Sequence, residues 1–362
     1  MSTAFWQGKK VFVTGHTGFK GAWLTAALTQ MGADVTGYAL KPPTEPSLFD
    51  MLNLRDRIRH VEADIRDRHA LTNALQEVQP EIVLHLAAQA LVRKSYADPV
   101  TTFEANTMGT VNLLDALRHL PSCRSAVVIT SDKCYANDDN GKNFDENDKM
   151  GGKDPYSASK GAAELVAYAY DQSYFEKANF PMATARAGNV IGGGDWAEDR
   201  LIPDAMRAAQ KGEAVLIRSP SATRPWQHVL EPVFAYLELA EKLYTHGRIF
   251  AGGWNFGPYP QDIQPVSVVL DILQKTVGFT LELDKGPHPV EAKTLGLSIA
   301  KAQKHMQWFP RLTLDDAVTW TGAWYRAFFD GQDMRAFTLK QIAEFLERPA
   351  ISHPAPDKKQ AA

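Results

Sequence analysis

The run Gly15-His-Thr-Gly18-Phe-Lys-Gly21 follows Lys10-Val-Phe-Val-Thr14 without a gap. A short β-branched and aromatic run of this kind reads as a buried parallel strand. The first glycine permits a tight turn, the second lets backbone approach a pyrophosphate, and the third lets the next helix pack closely on the strand. A phosphate placed there meets a helix N-terminus and its dipole. The bland alternative is an ordinary glycine turn. The strand before it and the helix expected over about Gly18 to Met31 supply the context that a dinucleotide site demands. Gly15, Thr17, Gly18, Phe19 and Gly21 are therefore candidate cofactor contacts.

Further strands are expected at Asp34–Tyr38, Arg59–Ala63, Glu81–Leu86, Ser125–Thr130 and Met182–Arg186. Helices are expected up to about Gln79, from about Val100 to His119, and around Tyr156. Such alternation implies right-handed crossovers and an α/β fold with a Rossmann-like, doubly wound parallel sheet. Beyond Gly192 the alternation fails. Gly192–Trp196 reads as a loop, followed by a helix near Ile202–Lys211, a short strand Ala214–Arg218 and a helix near Glu231–Leu243. We expect a dinucleotide-binding domain over 1–190 and a smaller mixed substrate lobe over 191–350 with returns to the sheet. The polar tail 351–362 is expected to be disordered.

The 362 residues, 44% of them apolar, are enough for a large core. A formal charge of −3 gives no reason to expect nucleic-acid binding. No apolar run is long enough to span a bilayer, and no basic leader precedes an apolar stretch. Cys123 and Cys134 are the only cysteines, which suggests reduced thiols in a cytoplasm. His16, His85 and His228 lack metal-ligand spacing, so no metal is assigned.

Tyr156 and Lys160 lie four apart on an expected helix and share a face. An ammonium there favours the phenolate and is expected to lower the tyrosine pKa, which suits acid/base work on an alcohol–ketone pair. Ser131-Asp132-Lys133 closes the fifth strand, where strand ends face the ligand crevice. A polar turn capped by Asp132 is the plain reading; the downstream Tyr156 and Lys160 favour a site. Asp64 and Ile65 follow the third strand, where a carboxylate can accept from an adenine amino group or cap the next helix. The small Ala87 and Ala88 follow the fourth and would let backbone approach a cofactor. The second strand lacks the acid that usually holds an NAD ribose, and Lys41 there leaves NADP open. Arg93, Asn189, Arg200 and Arg224 are candidate substrate contacts, with Arg224 suited to clamp a diphosphate.

These phrases, with Gly192-Gly-Gly-Asp-Trp196 and Arg224-Pro-Trp-Gln-His-Val229, resemble the extended short-chain dehydrogenase/reductase family over roughly residues 8–330. The resemblance is to its nucleotide-sugar epimerase/dehydratase members. Related dTDP- and GDP-sugar dehydratases usually show threonine, aspartate and glutamate where this chain has Ser131, Asp132 and Lys133, which points to a CDP-sugar branch. The resemblance implies NAD, a homodimer built through two helices per subunit, and dehydration of CDP-glucose to its 4-dehydro-6-deoxy product. It also implies a place in deoxysugar supply for a surface polysaccharide such as O-antigen. Tyr156 would take the 4-hydroxyl proton, Ser131 would hold the same oxygen, Lys133 would be the C5 base, and a protonated Asp132 would deliver a proton to the departing 6-hydroxyl. A 4-epimerase, or a dehydratase for another nucleotide hexose, is the alternative.

Overall fold

Strand β1, Lys10–Thr14, lies between β2, Asp34–Ala39, and β4, Ile82–His85, with Val11 opposite both Val35 and Ile82. The computed structural model describes residues 2–217, 219–284, 286 and 295–351. The sheet is completed by β3 Arg59–Glu62, β5 Ser125–Ile129, β6 Met182–Ala187 and β7 Gly252–Phe256. All seven strands run parallel in the order β7-β6-β5-β4-β1-β2-β3. The winding direction reverses between β1 and β4, and ligand crevices open at the carboxyl ends of strands flanking such a switch.

Both faces are covered, as near-continuous apolar strands require. On one face lie α1, Phe19–Gln30, and α6, Leu230–His246, whose Trp23, Leu24, Leu28, Val233 and Leu237 pack with Val11, Val13 and Leu84. On the other lie α2, Arg68–Val78, a composite α3 and α4, Pro155–Tyr170, whose Leu71, Leu75, Leu113, Leu117 and Ala167 meet Phe12, Val83 and Val128. Each fully buried side chain of this size contributes roughly 1.5–3 kcal/mol. The expected long helix is broken into Pro99–Phe103, a π turn Glu104–Met108 and Gly109–Leu117, together α3.

Beyond β6 the chain adds α5 Leu201–Lys211, α7 Val266–Val277, α8 Leu314–Phe329 and α9 Met334–Glu347. This part returns to the sheet through β7 beside β6, and two short strand pairs hold it together, Val190–Ile191 with Gln227–His228 and Thr223–Pro225 with Ile263–Pro265. The expected strand Ala214–Arg218 is Val215–Ile217, with Arg218 outside the described residues. The tail beyond Ile351 lies outside them too. No helix among the described residues is long and apolar enough to cross a membrane.

Candidate active site

The turn after β1 is shaped as its glycines suggest. Gly15 has φ +76°, and a Cβ on it would lie 2.6 Å from the Ala87 amide nitrogen. A Cβ on Gly21 would lie 2.1 Å from the Gly15 carbonyl oxygen, so helix and strand touch there. Gly18 is different: a Cβ would meet only that same oxygen, at 3.5 Å, which leaves open space above the helix start. Gly18 caps α1 with no side-chain hydrogen bond, so the first amides of the helix point toward that space without a side-chain cap. This is the cradle a pyrophosphate requires, and the residues present fit a dinucleotide.

The neighbouring loops are held just as firmly. Thr14 Oγ1 accepts from the Leu86 and Ala87 amides and pairs with His85 Nδ1 at 2.7 Å. Burial brings the His85 imidazole down to about 3, so it is neutral. Thr17 Oγ1 donates to the Leu40 carbonyl at 2.9 Å, joining the β1 and β2 loops. The π turn in α3 swings Asn106 across to the loop after β4. Its Oδ1 accepts from the Gln89 amide at 2.7 Å, and its Nδ2 donates to the Gln89 carbonyl and to Ser159 on α4. Ala87 and Ala88 are half-buried in this loop. Phe19 lies under Gly192, whose Cβ would come within 3.2 Å of its ring.

Asp64 does not cap α2; Asp67 does, accepting from the Ala70 amide at 3.0 Å. Asp64 instead accepts from the Arg66 amide and guanidinium, which with that hydrogen bonding hold its carboxyl below the usual range. The Ile65 side chain is buried and packs against Gly109. Lys41 is largely exposed, 3.9 Å from Glu62 Oε1 at the end of β3. A carboxylate therefore does stand beside the β2 end, supplied by a neighbouring strand, and sequence order hid it.

The polar trio and the Tyr156 helix converge. Ser131 Oγ donates to Asp132 Oδ1 at 3.0 Å, accepts from the Lys133 amide and lies in hydrogen-bond reach of the Tyr156 phenol. Asp132 is 2% exposed, and its Oδ2 has no hydrogen-bond partner. Burial pushes its carboxyl upward, against the nearby Lys133 and Lys20 charges. Helix α4 starts at a sharp cap, with Asp154 accepting from the Ser157 amide and Pro155 in the first turn. Tyr156 and Lys160 follow on one buried face.

The expected lowering of the tyrosine is not found. Burial pushes the Tyr156 phenol up to about 12, while the Ser131 hydrogen bond and the Arg200 charge only partly offset this. Lys160 itself is brought down to about 8 by burial. The chain alone desolvates the pair and leaves the phenol protonated.

One further group that sequence reasoning passed over reaches the cluster. Lys20, from inside the glycine turn, keeps some accessible surface, yet its ammonium is desolvated enough to fall to about 7. It lies within electrostatic reach of Lys160, Arg200 and Asp132 and donates to Tyr236 Oη at 3.4 Å. A lysine just before the third glycine of the turn was the available signal. Of the four candidate substrate residues, Arg200 joins this centre: it pairs with Asp195 at 2.8 Å and its charge reaches Tyr156. Arg93 bridges to Asp199 at 2.8 Å on the same loop. Arg224 lies on the strand pair Thr223–Pro225 and Ile263–Pro265, bonded to the Thr223 carbonyl, and Asn189 offers its carbonyl to the Gln227 amide. Among the described residues no group of three potential metal ligands forms.

A family model described as the NAD dependent epimerase/dehydratase family matches residues 11–252. A CDP-glucose 4,6-dehydratase of Salmonella typhimurium is 48% identical over 349 residues, spanning 94% of this chain and 97% of that protein. A dTDP-glucose 4,6-dehydratase from Streptomyces venezuelae, solved with NAD and TYD bound, has the same fold at TM-score 0.75 and 20% identity, covering 89% of this chain and 98% of that one. A UDP-glucose 4-epimerase of Thermus thermophilus, solved in complex with NAD, is 25% identical at TM-score 0.73 and covers 87% and 98%. The family match over most of the chain, the 48% identical relative and the common fold place this chain in the NAD dependent epimerase/dehydratase family.

Proposed function

We propose that the protein is a hydro-lyase that converts CDP-glucose to CDP-4-dehydro-6-deoxyglucose and water, with NAD as cofactor. The observation that carries this reading is Asp132: a buried, upward-shifted carboxyl with one unpartnered oxygen, hydrogen-bonded to the same serine that reaches the Tyr156 phenol. An epimerase has no leaving group to protonate and needs no such acid. The Salmonella relative supports the CDP-sugar over other nucleotide hexoses.

When bound, NAD supplies the oxidation at C4 and the matching reduction at C6, and brings a cationic ring to the crevice. The amides at Gly18 and the start of α1 hold its pyrophosphate. Tyr156 takes the proton from the 4-hydroxyl as its phenolate, with Ser131 bonded to the same oxygen. The chain alone disfavours that form, and the cofactor's positive charge and Lys160 together would stabilise it. The ketone at C4 acidifies C5. Lys133 takes the C5 proton, the C6–O bond breaks, and Asp132 gives its proton so that water leaves and a C5–C6 double bond remains. Lys133 then returns its proton to C5. Arg200, whose charge reaches Tyr156, supports a substrate role, and Arg93, Asn189 and Arg224 are proposed as further nucleotide-sugar contacts with a substrate lobe over 191–350.

The protein is further proposed to act as a homodimer in the cytoplasm. Leu165 and Tyr168 on α4 are 59% and 66% exposed, and Val100, Phe103 and Met108 on α3 are exposed beside them. An apolar face on two adjacent helices suits a second copy of this chain. Both cysteines are buried, unpaired thiols, consistent with a reducing compartment. Supply of a deoxysugar precursor for surface polysaccharide follows from the product's chemistry.

The test is incubation of purified protein with CDP-glucose, dTDP-glucose and GDP-mannose, each with NAD or NADP, and identification of products by mass. Loss of water from CDP-glucose with NAD is expected. A product isomeric with CDP-glucose would instead favour the epimerase.

A further inference from the structure

Behind the Ser131–Lys133 turn lies a buried charge pair that the reaction scheme does not use. Glu164 is on α4, one helical turn beyond Lys160, and is 4% exposed. One of its oxygens accepts from Thr130 Oγ1, and the other accepts from Thr184 Oγ1 at 2.7 Å and from Arg186 Nη2 at 2.7 Å. Arg186, 5% exposed on β6, donates through Nη1 to Tyr135 Oη at 2.6 Å, and Tyr135 donates on to Asn255 Oδ1 on β7 at 2.7 Å. Gly253 makes room for the guanidinium, since a Cβ there would lie 2.3 Å from Arg186 Nη2.

Thr130 precedes Ser131 and Tyr135 follows Cys134, so the pair grips the reactive turn on both sides. The same turn touches α4 directly: the Cys134 carbonyl accepts from the Gly151 amide at 2.7 Å and would lie 3.1 Å from a Cβ on Gly161. A buried ion pair is often no more stabilising than well-packed apolar residues of the same volume. A charge kept at this place calls for a use other than stability.

We propose that Glu164, held by Arg186, is a positioning residue that fixes the Ser131–Lys133 turn against α4 and keeps the Lys160 ammonium charged. Its relevance to turnover rests on the Tyr156–Lys160 reading above; its effect on Lys160 does not. Glu164 is the foremost group opposing the burial that brings Lys160 down to about 8. The other groups facing Lys160 are Cys134 from the turn, His85 from the end of β4 and Lys20 from α1. Burial keeps Cys134 a neutral thiol and His85 a neutral imidazole. Lys20 is cationic at low pH and opposes the charge on Lys160, a contribution common to wild type and variants.

The test is an NMR titration of the full chain labelled with carbon-13 at the lysine ε carbon, with the Lys160 resonance identified as the one lost in Lys160→Arg. Glu164→Gln removes the anion but keeps an acceptor, and the Lys160 midpoint should fall by about one pH unit. The alkaline limb of the turnover profile should move down with it. Glu164→Asp keeps the charge and should keep the midpoint near that of wild type, even with a lower Tm. The double variant Glu164→Gln/Arg186→Met removes both buried charges together and should also lower the midpoint, which secures the test if the single variant folds poorly. A midpoint unmoved in Glu164→Gln or in the double variant would overturn the proposal, as would an equal shift in Glu164→Asp. Wild-type turnover in Lys160→Met would instead sink the Tyr156–Lys160 reading and leave the titration result standing.

Discussion

Asp132 and Lys133 sit next to each other in sequence, yet their surroundings separate them: burial pushes the aspartate carboxyl upward, while the lysine is only half-buried. A carboxyl raised by burial keeps a proton that it can give, which suits Asp132 to the acid's part. The pair can be told apart in heavy water. Lys133→Met should abolish deuterium entry at C5 as well as product. Asp132→Asn should keep C5 exchange while water loss falls by about 10²–10⁴-fold. Equal loss of both signals in the two variants would contradict the assignment. Tyr156→Phe should lower turnover by a similar factor of about 10²–10⁴ with the fold intact by circular dichroism. Remote from the crevice, Glu231 accepts from the Arg311 and Leu312 amides at 2.7 Å each, while its other oxygen has no partner. Burial raises it to about 7. A carboxyl raised on folding keeps its proton in the native state between its unfolded and folded values. Stability is therefore greatest at low pH, falls as pH rises from about 4.5, and levels off above about 7. Glu231→Gln should flatten that decline in Tm between these limits, which corresponds to at most about 3 kcal/mol. A slope equal to wild type would refute the cause.

At the scale of elements, the glycine turn offers the sharpest test. Gly21→Ala would drive a methyl to 2.1 Å from the Gly15 carbonyl oxygen, so α1 must leave its seat on β1. Cofactor binding by isothermal calorimetry should fall at least about tenfold, with a loss of about 1–3 kcal/mol in stability. Unchanged binding would show that the close approach is not needed. Strands β1, β4 and β5 were legible in sequence because each is a short apolar run stopped by glycine, proline or polar residues. Strand β3, Arg59–Glu62, has a single apolar residue, Val61, and was legible through the alternation with helices around it. Strand β7 was not, because Gly252 and Gly253 weaken its strand character; Gly253 is there to admit the Arg186 guanidinium. The π turn in α3 was equally hidden. Its sequence continues a helical pattern, and its purpose, seating Asn106 between the Gln89 loop and Ser159, exists only in three dimensions. The same holds at the site. Ser131, Asp132, Tyr156 and Lys160 carry local signals, whereas Lys20, Glu62, Glu164 and Arg186 matter through partners far away in the chain. The lowered tyrosine was misjudged because spacing reports a neighbouring charge and says nothing of the desolvation that outweighs it.

For the whole molecule, the parallel sheet sets the crevice at its switch point, and the chain beyond β6 returns to the sheet as β7. The exposed Leu165 and Tyr168 lie on the same helix that carries Tyr156, so the dimer face proposed above would share an element with the site. Tyr168→Glu with Leu165→Glu should convert a dimer to monomer in sedimentation velocity, and a dimer that survives would place the interface elsewhere. The central claim is that one crevice oxidises C4, eliminates across C5 and C6, and reduces C6 without releasing the sugar. It is tested by feeding CDP-glucose deuterated at C4 and locating the label in the product by mass fragmentation and NMR. The account predicts deuterium at C6 of a 4-dehydro-6-deoxy sugar. Label retained at C4 of a hexose epimer, or lost to solvent, would contradict it.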